Sequence, residues 1–264
     1  MTAPLLPRWT VAAGTLAYGA LLAALLSCSN NGPNESTPAH LAQGQQTFRF
    51  DTFGDETFWT DTLRIHEVIQ SGVSPVAALA VGLKLDADVL PPGILQTADL
   101  NSPATTVALL KLNAVIGLKG TVETVNGRDT LTRVGITCAL CHSTVNNSAA
   151  PGIGQRLDGW PNLDLNPGAI IALSPALTGI QKAVYNSWGP GKYDARYNFD
   201  GQNDPVVIPP AYGLAGVNSI TYTGDTSSDF NDSTNLSGDL VEVFQSGAYG
   251  ATASPRAFLS QPPY

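Results

Sequence analysis

The pentapeptide Cys138-Ala139-Leu140-Cys141-His142 sets two thiols two residues apart and an imidazole directly after the second thiol. With this spacing each thiol can add to one vinyl group of a haem, and the imidazole can then bind the iron as proximal ligand. The motif therefore predicts one covalently attached haem c, tethered through Cys138 and Cys141, with His142 as an axial ligand of the iron.

Two other interpretations of the pentapeptide remain open. One is a pair of buried free thiols beside a surface histidine, and the other is a zinc site that uses all three side chains. A structural zinc ion needs a fourth ligand, usually from a second cluster of cysteine or histidine. The sequence has three cysteines, and the third, Cys28, belongs to a separate feature. Haem attachment is the interpretation that the sequence favours.

The composition excludes some classes of function. The formal net charge is −8 and no run of lysine or arginine occurs, which argues against nucleic acid as a partner because phosphate binding needs clustered positive charge. A charged protein partner is expected to be basic. Charged residues make up 13% of the chain, with 26 glycines and 19 prolines, so we expect many turns and irregular connections.

The N-terminal segment has the layout of a secretory signal peptide. Arg8 precedes an apolar run from Val11 to Leu26 that contains no acidic residue. The run ends in Leu25-Leu26-Ser27-Cys28, which resembles the bacterial lipobox, so Cys28 is expected to become a lipidated N-terminus. The alternative is an uncleaved anchor, for which the run is short. Both interpretations predict a membrane-anchored domain outside the cytoplasm, on the periplasmic or cell-surface side.

The composition divides the chain into four predicted segments. They are a signal peptide at 1–27, a flexible spacer at 28–38, a haem domain at 39–223 and a weakly structured tail at 224–264. The spacer and the tail are rich in Ser, Asn, Gly and Thr, which offer little apolar surface to bury.

A helix is predicted from Glu56 to Gln70, with Asp55 as its N-cap. In this helix Trp59, Leu63 and His66 would share one face at i, i+4 and i+7. His66 is then either an ordinary partly buried core histidine or a residue available to a bound group.

Further elements are predicted downstream. Alternating residues indicate a strand over Leu83–Val89, and Ser-Pro predicts a helix from Pro103 to about Val115. Asn126-Gly127, inside a β-branched stretch from Thr121 to Thr137, predicts a hairpin that leads into the motif. Two helical stretches are expected on either side of Pro175.

Arg156 and Trp160 are candidate partners of the haem propionates. A guanidinium binds a carboxylate through two parallel hydrogen bonds, and an indole N–H donates one. The alternative roles are a surface arginine and a core tryptophan.

The combination of Gly44-Gln45-Gln46-Thr47-Phe48, the haem pentapeptide and Trp188-Gly189-Pro190-Gly191-Lys192-Tyr193-Asp194 resembles the bacterial di-haem cytochrome c peroxidase superfamily, nearest to its rubber-oxygenase-like branch. The resemblance covers about residues 40–225. It implies a mainly α fold, with a cytochrome c-like haem core, long irregular insertions and a small β-hairpin. It also implies two haems, a proximal role for His142, and peroxide or oxygen chemistry.

This chain departs from that family because it has a single Cys-x-x-Cys-His motif. The resemblance then implies that the reactive haem is kept and the electron-storing haem is lacking. The predicted function is that of a lipid-tethered mono-haem c-type cytochrome in electron transfer with a redox partner protein. The alternative is a haem peroxidase- or oxygenase-like enzyme, or a truncated remnant of one, with an open distal site.

The sequence offers few side chains that could serve as the distal ligand of the iron. Met1 is the only methionine and is lost with the signal peptide, so methionine ligation is not available to the mature chain. His142 is assigned to the proximal side, and His40 borders the spacer. His66 is therefore the best distal candidate, and the other possibilities are an open position, a water or a weaker side chain.

Overall fold

The computed structural model describes residues 38–194, 197 and 201–212, without the side chain of His40. The predicted signal peptide, almost all of the spacer, Cys28 and the predicted tail lie outside this part of the chain. Within it, none of the helices has the length and apolar character needed to cross a membrane.

The described chain folds into short helices and four two-stranded sheets. The helical elements are α1 (Pro38–Phe50), a π-helix (Thr57–Thr62), α2 (Ile65–Gly72), α3 (Pro75–Ala80), a 3₁₀ turn (Ala87–Val89), α4 (Ile94–Thr97), α5 (Pro103–Lys111), α6 (Ala139–His142), α7 (Pro167–Ala172) and α8 (Gly179–Asn186). The strands are β1 (Leu85–Asp86), β2 (Leu118–Val125), β3 (Arg128–Ile136), β4 (Ser143–Val145), β5 (Ile153–Gly154), β6 (Arg156–Asp158), β7 (Lys192–Tyr193) and β8 (Val206–Val207).

The expectation of a mainly α fold is wrong. Of the residues that the structure describes, about 40% are helical and about 20% lie in strands. The strands pair as β1 with β5, β2 with β3, β4 with β6, and β7 with β8. Three of the helices begin with proline directly after the N-cap residue and run for only six to nine residues. The chain between them therefore has to satisfy its backbone groups in strand pairs rather than in long helices.

The hairpin predicted around Asn126-Gly127 is present. Strands β2 and β3 pair in antiparallel register from Leu118 opposite Ile136 to Val125 opposite Arg128. Both turn residues have positive φ, 50° at Asn126 and 77° at Gly127, as a two-residue hairpin turn requires. A register shift between Thr121 and Val122 marks a bulge.

The predicted helix over 56–70 is divided in two. Arg64, with φ of 57°, separates the π-helix from α2, so Trp59, Leu63 and His66 do not lie on one continuous helix. A physical reason lies at Thr60, whose hydroxyl donates to the Val134 carbonyl and accepts from the Val134 N–H, each at 2.9 Å. Side-chain bonds of this kind compete with regular helical pairing.

Two other predicted elements are shorter than expected. The strand over Leu83–Val89 is reduced to β1, because the Asp86 carboxylate accepts from the Asp88 N–H at 3.1 Å and turns the chain into the 3₁₀ segment. The helix from Pro103 ends at Lys111, and Asn113 follows with a φ of 55°. The two helices predicted around Pro175 are present as α7 and α8.

Two clusters of buried apolar side chains form the interior. The larger joins the π-helix, α2, α5, the hairpin, α7 and α8. The smaller consists of Phe48, Ile116, Ala139 and Val145, and Cys138 packs against it. Phe48 and Ala139 are fully buried, so the smaller cluster ties α1 to the start of the motif.

Candidate functional site

The pentapeptide lies where β3 ends and forms a single helical turn, α6, with Cys138 at its N-cap. The His142 N–H donates to the Cys138 carbonyl at 3.1 Å, and the Leu140 N–H donates to the Thr137 carbonyl at 3.0 Å. Residues three apart on a helix face the same side. The turn therefore puts Cys138 and Cys141 on one side of α6.

The turn is held closely against its neighbours. A Cβ at Gly117, whose φ is 81°, would lie 2.1 Å from the Cα of Leu140. The Thr137 N–H donates to the Gly117 carbonyl at 2.9 Å, and the Thr137 hydroxyl donates to the Arg49 carbonyl of α1 at 3.2 Å. The turn before β2 and helix α1 thus hold the residue that precedes the first cysteine.

The C-terminal end of the turn is capped by a later segment. The Asn162 N–H donates to the Cys141 carbonyl and the Gly159 N–H to the His142 carbonyl, both at 2.8 Å. Asn162 also donates from Nδ2 to the Gly82 carbonyl at 2.9 Å. These bonds satisfy carbonyl groups that a helix end leaves without partners.

A strap, residues 205–212, orients the imidazole of the motif. The Ile208 N–H donates to the Gly191 carbonyl at 2.9 Å and the Ala211 N–H to the Gly159 carbonyl at 2.8 Å. Between them the carbonyl of Pro209 lies 3.0 Å from Nδ1 of His142. A carbonyl can only accept, so Nδ1 carries the proton and Nε2 keeps its lone pair.

Burial lowers the pKa of His142 and so favours the neutral imidazole, although the hydrogen bond to Pro209 opposes this. A neutral ring with Nδ1–H bonded to a carbonyl is the form in which histidine binds metals through Nε2.

The two cysteines are not joined to each other and are partly buried. Burial raises the pKa of Cys138 and of Cys141 to about 12 each. Reactive Cys-x-x-Cys pairs in redox enzymes have lowered pKa values instead. The site therefore presents two protonated thiols at neutral pH.

Asp55, which the sequence predicted to be the N-cap of a helix, instead contacts the strand that leads into the motif. Its carboxylate accepts from the Ile136 N–H at 3.1 and 3.3 Å, two residues before Cys138, and is not the side-chain cap of a helix. A Cβ at Gly135 would lie 2.5 Å from Oδ1 of Asp55, so the adjacent glycine makes room for the carboxylate. No local pattern indicates this contact, because its partners are 81 residues apart.

Arg156 lies in a buried ion pair. Its side chain is 3% exposed and Nε donates to the Asp86 carboxylate at 3.1 Å. Burial lowers its pKa, and the charges of Asp158 and Asp86 oppose this effect. Arg49, which the sequence reasoning did not consider, donates from Nε to Asp158 at 2.6 Å, and Asp158 also accepts from the Ser143 hydroxyl at 2.7 Å.

Trp160 is 40% exposed and is not a core tryptophan. Its ring packs at a tilt against Tyr212 of the strap, with ring centroids 5.2 Å apart. It belongs to the segment between Gly159 and Asn162, whose N–H groups cap the motif. The structure therefore brings Trp160 to the side of α6 where the strap crosses.

His66 lies on α2, along the hairpin. Thr60 binds Val134, and Gln70 accepts from the Leu131 N–H at 2.7 Å, so the segment between them follows β3 away from Cys138. Ile65 and Ile69 of the same helix belong to the apolar cluster that also contains Leu140 of the motif. His66 Nδ1 is buried and has no hydrogen-bond partner among the described residues.

Within residues 38–194, 197 and 201–212, no three His, Cys, Asp or Glu side chains are grouped so that they could hold a metal ion. The described part of the chain therefore does not supply a set of zinc ligands. Porphyrin iron differs, because the macrocycle supplies four ligands and the protein one or two.

In comparisons with protein families, curated proteins and solved structures, the chain matches none. The resemblance to the di-haem cytochrome c peroxidase superfamily therefore stays a prediction from the quoted motifs.

Proposed function

We propose that this chain is an extracytoplasmic mono-haem c-type cytochrome, tethered to a membrane by a lipid on Cys28, whose minimum function is electron transfer. The observation that carries the proposal is the hydrogen bond from His142 Nδ1 to the Pro209 carbonyl. It leaves Nε2 as the ligating atom, one residue after a thiol. When bound, the haem supplies a one-electron iron couple.

The donor set supports a haem c. Cys138 and Cys141 are free, protonated and on one side of a single helical turn. Each S–H can add across one vinyl group, with sulfur bonded to one carbon and hydrogen to the other, so no leaving group or oxidant is needed. The motif is held by β2, α1, the 159–162 segment and the strap, so both thiols are positioned together.

The propionate roles of Arg156 and Trp160 remain part of the proposal. Arg156 would share its guanidinium between Asp86 and a propionate, whereas Trp160 is exposed beside the motif. Arg49 is a further cation in the same region, with a side chain 25% exposed. The net charge of −8 supports a basic redox partner rather than nucleic acid.

The decisive experiment is acid-acetone extraction of the purified holoprotein, followed by mass spectrometry of the peptide that contains residues 138–142. We expect the haem to stay with the protein, because thioether bonds survive the treatment. Cys138→Ser and Cys141→Ser should each leave one thioether, and Ser148→Ala, an exposed position, should leave both. Haem that extracts from the wild-type protein would contradict the proposal.

The alternative function is a haem peroxidase- or oxygenase-like enzyme with an open distal position. It is favoured by the placement of His66 along the hairpin and by the lack of any methionine other than Met1. A six-coordinate low-spin iron supports the electron carrier, and a five-coordinate or water-bound iron supports the enzyme.

A further inference from the structure

An apolar cavity of about 40 Å³ lies next to the motif. Its wall includes Leu140, which stands between the two cysteines, and Ile136, two residues before Cys138. Leu118 of β2 adjoins them in the wall. The remaining lining side chains come from β3, the π-helix, α2, α7, the turns on either side of α3 and the turn after α7.

No polar atom faces the cavity, although twelve side chains line it. A buried water needs about two to four hydrogen-bond partners, and an apolar cavity of this kind stays dry. Hydrogen peroxide would leave both of its hydroxyl groups without partners there, which costs free energy for each group. The chemistry of the wall therefore selects a molecule that makes no hydrogen bonds.

The cavity is close to solvent on one side. Leu173, in its wall, is 43% exposed, and Val73 and Val81 are half-buried. Leu140, in contrast, is only 4% exposed, so the part of the wall that belongs to the motif is buried. A small molecule in the cavity would therefore contact Leu140 of the motif.

We propose that this cavity binds a small apolar molecule of the size of a diatomic gas, with dioxygen as the physiological example, beside the Cys-x-x-Cys-His turn. The volume of the cavity limits the ligand to a very small molecule, and the lack of polar atoms in its wall limits it to an apolar one. The proposal goes beyond electron transfer and holds whichever ligand completes the coordination of the iron.

Xenon is the probe that tests it, because xenon binds dry apolar cavities and makes no hydrogen bonds. The ¹²⁹Xe chemical shift is measured against xenon pressure in solutions of the purified holoprotein. We expect a saturable component from the wild-type protein. A shift that stays linear at all pressures would overturn the proposal, and so would a porphyrin that already fills the cavity, because both remove the saturable component.

Substitutions at one half-buried lining position locate the site. Val73→Phe should abolish the saturable component by filling the cavity, and Val73→Ala should strengthen xenon binding by enlarging it. Val76→Phe is the matched control, because Val76 is 48% exposed and does not line the cavity. Circular dichroism checks each fold. If Val73→Phe does not fold, the wild-type titration and Val73→Ala decide; xenon binding unchanged by Val73→Ala would place xenon elsewhere.

Discussion

Asp55 keeps a carboxyl group in the interior beside the strand that ends at the motif. Burial raises its pKa from 3.8 to about 8, although the Ile136 N–H opposes this effect and the charge of Glu56 adds to it. The folded protein therefore holds a proton on Asp55 between about pH 4 and pH 8, whereas the unfolded chain releases it. The contribution of Asp55 to the free energy of unfolding is therefore greatest below about pH 4, and it falls as the pH rises to about 8.

Asp55→Asn removes this dependence, because the amide is neutral at every pH and its oxygen can still accept from Ile136. We expect the wild-type free energy of unfolding to fall by up to ~1.4 kcal/mol per pH unit between about pH 4 and 8 relative to the variant. Urea unfolding at several pH values measures it. Asp61→Asn, which alters a surface ion pair, is the control. Parallel pH profiles for wild type and Asp55→Asn would refute the assignment.

A second prediction concerns whether His66 is a ligand of the haem iron. The contacts of Thr60 and Gln70 place it along the hairpin, so we expect His66→Ala to leave the visible spectrum of the holoprotein unchanged. His142→Ala is the positive control, and it should lose the proximal ligand. A change from low-spin to high-spin bands in His66→Ala would instead establish bis-histidine ligation.

At this scale the sequence predicted only what is local. Cys138, Cys141 and His142 are grouped because they are neighbours in the chain, and a single turn keeps them so. The partners that orient them are distant: Pro209 lies 67 residues from His142, and Asp55 lies 81 residues from Ile136. Neither partner is marked by a sequence motif, because any backbone carbonyl could accept from His142 and any buried carboxyl could accept from Ile136.

Among the elements, the hairpin and α6 meet at a glycine. Gly117→Ala would bring a Cβ to 2.1 Å from the Cα of Leu140 and would also occupy positive φ. Backbone cannot move aside as a flexible side chain can, so we expect a loss of several kcal/mol in unfolding free energy and reduced haem attachment, beyond the ~1–2 kcal/mol of a left-handed residue alone.

Gly127→Ala is the matched control for this substitution. Gly127 has a similar φ of 77°, but nothing lies within 4 Å of the position of its Cβ. It should therefore cost only the backbone strain. Urea unfolding and the haem content of both variants measure the difference, and equal losses would show that the close approach at Leu140 has no energetic role.

The elements were predictable in proportion to how local their causes are. Asn126-Gly127 specifies a turn by its own backbone preference, so the hairpin was predicted. The division of the predicted helix over 56–70 was not predicted, because Thr60 forms its hydrogen bonds with Val134, which periodicity within one segment does not encode. The strands β4 to β8 have two or three residues each and leave too few positions for an alternating pattern.

We expect the protein to be held at a membrane by a lipid on Cys28. Cys28 lies outside the described residues, and the lipobox resemblance predicts that it is acylated. Cys28→Ser should release unanchored protein or stall processing, which fractionation and N-terminal mass spectrometry detect. Ser29→Ala is the control and should stay with the membrane fraction. Unchanged membrane attachment of Cys28→Ser would exclude lipid anchoring at this residue.

The mixed α and β composition separates the whole fold from the family that the motifs resemble. The haem pentapeptide is compatible with many surroundings, because it needs one helical turn and a carbonyl for its histidine. The pentapeptide alone therefore does not specify the fold around it.

The strap sets an order in time. Synthesis proceeds from the N-terminus, so the two cysteines leave the ribosome well before Pro209, which follows His142 by 67 residues. During that interval the imidazole has no carbonyl to hold it, and the turn lacks the strap above it. The hydrogen bond that fixes the proton on Nδ1 of His142 therefore forms only after the strap has been made and has folded across the turn.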